Sequence, residues 1–303
     1  MKLPTGVHFF ERGWLSANNV LLQDAAQAIL VDTGYHTHGQ QTLSLLRCEL
    51  GNRPLTHILN THLHSDHCGG NALLQKHYPL ALTYTPPGLA MHVRAWNPHA
   101  LSYTPTGQDC PKFTVSDLLQ HGMCFEVAEL SWEVHAAPGH DPHSVILYCK
   151  NQGILISADA LWENGFGVVF PEIEGEDAFQ EVADTLDLIE SLNPRLVLPG
   201  HGPAFNDVND ALKRARSKLD MFISAPDKHA AYAAKVLMKF KLLELQQIEL
   251  TRFLEWARNT EYLATLYAKY GESMGIEVWL SRLCESMQRS GACRINQDNI
   301  CNA

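Results

Sequence analysis

The 303-residue chain predicts an α+β fold with a mainly helical C-terminal region. Three observations carry that expectation. Short β-type runs bounded by turn formers crowd the first two-thirds, and helical periodicity takes over in the last third. The charge changes between the two parts. Residues 1–203 hold nine Lys+Arg against 21 Asp+Glu, a balance of −12, and the remainder holds 14 against 12, a balance of +2. That change, with the turn-forming stretch Ser224-Ala225-Pro226-Asp227, predicts two domains, 1–222 and 227–303.

In chain order, the runs at 19–22, 28–31, 57–59, 81–84, 145–148, 154–156 and 196–198 read as strands, because each is short, apolar or β-branched, and stopped by residues such as Asp24, Gly34, Pro138-Gly139, Gly153 or Pro199-Gly200. Phe179, Val182, Ala183, Leu186 and Ile189 share one helical face. Val208, Ala211, Leu212, Ala215 and Leu219 form a second such stripe, with Asn206 or Asp207 placed as its N-cap. A third holds Tyr232, Val236, Phe240 and Leu243, and a fourth Ile276, Trp279, Leu280, Leu283 and Met287. Residues 292–301 read as a short hairpin with a polar turn.

Composition excludes several classes. Hydrophobic residues at 46% with charged residues at 18% describe a globular chain. It is long enough to bury roughly three-quarters of its unfolded surface. A net charge of −10 gives no positive footprint for nucleic acid or an anionic membrane. No apolar run reaches the roughly 18 residues of a membrane span. The N-terminal run breaks at Pro4 and Gly6, too soon for a secretory signal. Cys48, Cys68, Cys110, Cys124, Cys149, Cys284, Cys293 and Cys301 form no Cys-x-x-Cys pair, so free thiols in a reducing, cytoplasmic setting are expected.

The chemistry gathers directly after the 57–59 strand, in Asn60-Thr61-His62-Leu63-His64-Ser65-Asp66-His67-Cys68-Gly69-Gly70-Asn71. His62 and His64 are two apart, so in extended chain they project to one side and can grip one ion. A tight turn then carries Asp66 and His67 toward a second ion, and Gly69-Gly70 permits close backbone approach. Three more candidates stand where strands feed into loops: His140, Asp159 and His201. Five imidazoles and two carboxylates suit Zn²⁺ and tolerate Fe or Mn. Asp159 is the natural bridge, since each carboxylate oxygen can take an ion.

The order His62-x-His64-x-Asp66-His67, then His140, Asp159 and His201, resembles the metallo-β-lactamase superfamily, in particular its glyoxalase II-like branch. Ile29-Leu30-Val31-Asp32-Thr33-Gly34 and the Gly-Gly-Asn after the cluster support it. The resemblance covers roughly residues 15–205 and implies a four-layer αβ/βα sandwich with a binuclear site at one edge. It implies that His62, His64 and His140 hold the first metal, that Asp66, His67 and His201 hold the second, and that Asp159 bridges them. The best-known zinc β-lactamases place Cys where Asp159 stands, which argues against β-lactam hydrolysis. The stretch Pro138-Gly139-His140-Asp141-Pro142-His143-Ser144 is one residue shorter than the usual motif, which keeps His140 and changes its neighbours.

The resulting expectation is a hydrolase with two divalent ions, zinc first, in which a bridging hydroxide attacks a small-molecule thioester, ester or lactone and Asp66 passes a proton to the leaving group. A mononuclear iron persulfide dioxygenase, a phosphodiester- or RNA-cleaving relative and a non-catalytic binding protein stay open beside it. For recognition, residues 81–120, with Trp96 and Tyr103, could cover the site, and Trp162 and Phe166 read first as ordinary core packing and second as the lining of an apolar pocket. His143 and Ser144 read as support or as surface, and Cys68 as a small buried residue. Asp32 reads as orienting a turn, and the resemblance implies that it supports the site. The run from Lys213 to Lys218 reads as a solvated helical face or as an anchor for an anionic tail. The helical tail, weakly similar to a winged-helix appendage, offers a substrate wall or a homodimer surface.

Overall fold

Each fully apolar run of the first two-thirds becomes a strand buried along its whole length, and the strands build two sheets. The computed structural model describes residues 2–271 and 273–303. The first sheet runs in the order β1 (Val7–Phe10), β2 (Asn19–Gln23), β3 (Ala28–Val31), β4 (His57–Leu59), β5 (Leu82–Thr85) and β6 (Asp117–Leu118), antiparallel up to β3 and parallel beyond it. The second holds β7 (Cys124–Val127), β8 (Leu130–Ala136), β9 (Val145–Cys149), β10 (Ile154–Ala158) and β11 (Leu196–Pro199), with only the β10–β11 pairing parallel.

Alternation along the strands sets the layers. Val20, Leu22, Ile29 and Val31 turn inward onto Trp132, Val134, Leu147 and Ile156 of the other sheet. Their neighbours Leu21, Leu30 and Ile58 turn outward onto α1 (Gly39–Leu50) and, past the short α2 (Ser65–Cys68), onto α3 (Asn71–His77). The segment between β5 and β6 carries α4 (Pro87–Ala95) and α5 (Tyr103–Thr106), and α6 (Phe170–Glu174) follows β10. On the far side Ile146, Leu155 and Val197 pack against α7 (Phe179–Leu192) and α8 (Val208–Ser224) through Val182, Leu186, Leu212 and Leu219. Helix, sheet, sheet, helix is the four-layer sandwich that the family resemblance implies. β1 and β6–β8 are additional to the strands expected from sequence, and β5 lies one residue later than read. In β8, Leu130, Trp132 and Val134 alternate with Ser131 and Glu133, a two-residue period weaker to the eye than an unbroken apolar run. Asp207 does occupy the N-cap of α8, but its side chain makes no cap hydrogen bond.

Ala225 breaks the chain between α8 and α9 (Pro226–Leu245). There follow β12 (Gln247–Glu249), α10 (Leu250–Asn259), α11 (Glu261–Tyr270), α12 (Ile276–Arg289), β13 (Cys293–Asn296) and β14 (Asn299–Asn302). The last two form the expected hairpin, with Ile295 opposite Ile300, and β12 completes an antiparallel sheet in the order β12-β14-β13. The elements of this region run helix, strand, three helices and terminal hairpin. Its core joins Ala233, Leu237, Phe253, Leu280 and Met287, and takes in Val168 and Ile173 from the sandwich. All eight cysteines are free thiols. No described helix is long and apolar enough to cross a membrane.

Candidate metal centre

The parallel ends of the sheets build the site. Beyond β4 the chain leaves the sheet at Asn60, delivers His62 and His64, and coils into α2 with Asp66 and His67. β10 and β11 are parallel neighbours, so Asp159 and His201, each just past its strand, emerge side by side. His140 comes from the loop between β8 and β9. A Cβ on Gly69 would stand 2.4 Å from the Ser65 oxygen and one on Gly70 2.5 Å from the Thr33 oxygen, so only glycine lets the chain between α2 and α3 lie this close to the segment that follows β3.

All seven sequence candidates converge. Three overlapping triads, His62/His64/His140, His62/His67/Asp159 and Asp66/His67/His201, each place their ligand atoms within 4.8 Å of one another. His64 Nδ1 lies 2.9 Å from His140 Nε2. Asp159 stands centrally, 3.4 Å from both His67 Nε2 and His140 Nε2 and 3.8 Å from His201 Nε2. His201 Nε2 is 3.1 Å from Asp66 Oδ2. His62 Nε2 and His67 Nε2 are buried without a hydrogen-bond partner, a costly state for polar nitrogen unless a ligand satisfies it. Orphaned imidazole nitrogens beside two carboxylates are a donor set that fits divalent metal.

The surroundings fix the charges. Burial holds His62 well below the usual imidazole range, with the neighbouring histidines adding to it, and burial lowers His140 to about 4. Burial opposes ionisation of Asp159, but His201 and His67 outweigh it and the carboxyl falls well below its ordinary value. For His67, burial is outweighed by Asp159, Asp32 and Asp66, and its pKa rises.

Groups behind the cluster set its geometry. Asp32, in the left-handed region at φ 57°, accepts from the Thr61 N–H at 2.9 Å, from the Thr61 hydroxyl at 2.8 Å and from His67 Nδ1 at 2.7 Å. That contact turns His67 Nε2 toward the cluster, the support expected of Asp32. His140 Nδ1 donates to the Val168 carbonyl, which aims its Nε2 inward.

An aromatic collar surrounds these groups. Trp14 stacks on His201 at 5.2 Å with an interplanar angle of 2°, and meets Trp162 edge-on at 5.3 Å. Trp162 Nε1 donates to Asp159 at 3.2 Å. Phe170 stands over His64 at 4.8 Å and is itself stacked on Tyr262 of α11. Trp162 was anticipated from sequence, whereas Trp14, Phe170 and Tyr232 were not singled out as site residues. Beyond the collar opens a cavity of about 400 Å³ whose opposite wall is α9.

Other expectations separate here. From residues 81–120, Ser102, Thr106 and Gln108 line the cavity, while Trp96 and Tyr103 pack in a small core with Phe113. Phe166 is buried under α8 instead of lining the cavity. Cys68 is buried, its thiol 3.1 Å from the Tyr103 hydroxyl. Ser144 Oγ donates to the Ala137 carbonyl. His143 lies against Gly88, away from the triads. In the basic run, Lys213 pairs with Asp210 and Arg216 with Asp187 and Glu190 on the surface. Lys218 departs from the solvated-face reading. Its Nζ donates to the Phe166 carbonyl at 2.9 Å and lies 4.2 Å from the Tyr232 ring centroid, and burial lowers it to about 8. A further triad, His36/Asp109/Glu244, spends Glu244 on Lys241 and Tyr35.

Residues 12–201 match the family described as the metallo-β-lactamase superfamily. A probable hydroxyacylglutathione hydrolase of Schizosaccharomyces pombe is 26% identical over 66% of this chain and 68% of its own. The metallo-β-lactamase family protein TTHA1429 of Thermus thermophilus superposes over 100% of both chains with a TM-score of 0.60 at 20% identity, a likeness of fold. TTHA1623, crystallised in a di-iron-bound form, is 26% identical and covers 69% of this chain and 98% of its own, with a TM-score of 0.52. The chain belongs to the metallo-β-lactamase superfamily. It is a metal-dependent hydrolase with hydroxyacylglutathione hydrolases among its relatives.

Proposed function

We propose a dinuclear hydrolase of thioesters, esters or lactones. In this reading His62, His64 and His140 hold one divalent ion, Asp66, His67 and His201 the other, and Asp159 lies between them. The observation that carries it is the pair of buried, unpartnered Nε2 atoms of His62 and His67, set within three overlapping ligand triads. Bound ions would supply a Lewis acid for an acyl oxygen and lower the pKa of a bound water to about 7. The chain's own part is to hold the donors in place, Asp32 behind His67 and Val168 behind His140. Asp66, 3.1 Å from His201, is the proposed proton carrier to the leaving group. The name of the yeast relative favours a thioester, and the di-iron form of TTHA1623 keeps iron beside zinc. The helix break at Ala225 and an apolar core drawn mostly from the helices beyond it support a two-domain reading, 1–222 and 227–303.

Elemental analysis of protein purified without chelators, paired with a thioester, ester and lactone panel, tests this. About two zinc or two iron ions per chain with turnover is the expected result. One iron per chain with oxygen consumption on persulfides overturns it, as does hydrolysis confined to phosphodiesters.

A further inference from the structure

We propose that the cavity between the metal centre and α9 is an acyl pocket that selects a thioester with an extended apolar acyl group. This rests on the hydrolase reading and adds the substrate class. The cavity's about 400 Å³ falls in the range of small-molecule sites. One end is the cluster itself, His64, Asp66, His140, Asp159 and His201. The far wall is the α9 stripe of Tyr232, Val236, Phe240 and Leu243, with Met287 of α12 behind it.

Several polar residues in the lining are already engaged by the protein. Thr106 Oγ1 donates to the Ser102 and Tyr103 carbonyls, Gln108 Oε1 accepts from Ser65, and Ser290 Oγ donates to Met287. Lys239 is committed to Ala292, Asn302 and Ala303 at the chain's end. Lys235 is the one lining cation without a hydrogen-bond or ion-pair partner among the described residues. A polar, charged thiol arm would lose most of its hydration here with Lys235 as its one unengaged cationic partner, whereas an apolar arm loses only its contact with water. The acyl arm therefore lies along α9 and the thiol arm leaves through the opening. Water adds to the acyl carbon, the C–S bond breaks, the sulfur takes a proton, and a carboxylate and a thiol depart with no redox partner.

The test uses metal-loaded full-length protein and N-acetylcysteamine thioesters from acetyl to octanoyl. kcat/KM should climb with length, by up to about fourfold per methylene while the pocket fills. Val236→Trp should lower the octanoyl-to-acetyl ratio at least about tenfold, with Leu243→Phe as the second variant should Val236→Trp fail to fold. Val278→Ala, at an exposed site on α12, is the control and should leave the ratio alone. A flat or falling length series with all thioesters turned over overturns the pocket and leaves the hydrolase standing. Absence of turnover on every thioester, ester and lactone overturns the hydrolase reading. In that case octanoate binding, read by the fluorescence of Trp14 and Trp162, decides the pocket. Saturable binding weakened by Val236→Trp supports it, and no binding overturns it.

Discussion

The two walls of the cavity are built on opposite rules. The sandwich edge takes single side chains from the ends of β4, β10 and β11 and from the β8–β9 loop, and clamps several from behind. The α9 wall is one continuous stripe of ring and aliphatic surface, with Tyr232 also packed on Lys218. Metal chemistry requires donor atoms in fixed directions, so each needs its own support. An apolar wall requires only volume and the absence of polar partners.

The largest expected effect separates these rules outright. Asp159→Ala removes the central carboxylate, 3.4 Å from both His67 and His140. Metal content should fall from about two ions to one or none, and kcat should fall by about a thousandfold, the scale of losing a group that stabilises developing charge. Phe240→Ala on the opposite wall should leave metal content unchanged. Elemental analysis of both variants checks this, and metal loss in Phe240→Ala would erase the distinction.

The next effect lies where the walls join. His229 of α9 is packed between Phe222 and Phe179 and accepts the Val169 N–H at 3.3 Å, one residue from the carbonyl that orients His140. Burial lowers it from 6.5 to about 4, with Lys218 and Lys269 adding to it. The unfolded chain therefore takes up the proton first, between pH 6.5 and 4. The stability that neutral His229 contributes is present above pH 6.5 and lost as pH falls toward 4. It amounts to at most about 3 kcal/mol at 1.36 kcal/mol per unit. Urea unfolding at pH 7 and pH 4.5 should show a smaller loss for His229→Gln than for the parent, since contributions common to both cancel.

Much of the first wall was legible in the sequence and little of the second, for a physical reason. Four candidate ligands within His62–His67 are too polar to crowd at a strand end for packing, so their spacing speaks for itself. Tyr232, Val236, Phe240 and Leu243 recur at the same spacing as any buried helix face, and nothing in that period says whether a core or a cavity lies opposite. Lys218 shows the same blindness from the other side. It sits in a basic run on α8, yet turns inward beneath Tyr232. The four layers were implied by the resemblance to the metallo-β-lactamase superfamily, while β8 escaped because its alternation gives only three inward residues.

A smaller effect tests the clamps. Asp32→Asn keeps shape but loses the charge that holds His67 Nδ1–H at 2.7 Å. Metal affinity should drop about 10- to 100-fold, the usual cost of losing a partner behind a ligand. Chelator competition measures it, and unchanged affinity would mean that His67 is oriented by burial alone.

Trp14 belongs to both walls, and so gives the finest test. It is 54% exposed, stacks on His201 and also lines the cavity. An aromatic pair of this kind contributes about 0.5–1.5 kcal/mol beyond area, so Trp14→Ala should cost about tenfold at most in kcat/KM on a long acyl thioester. The double variant with Phe240→Ala decides how the walls act. If the metal edge and the α9 wall are independent, the two losses add within about 0.5 kcal/mol. Coupling beyond that would mean that Trp14 and Phe240 grip the same acyl chain, and that the pocket starts at the metal centre itself.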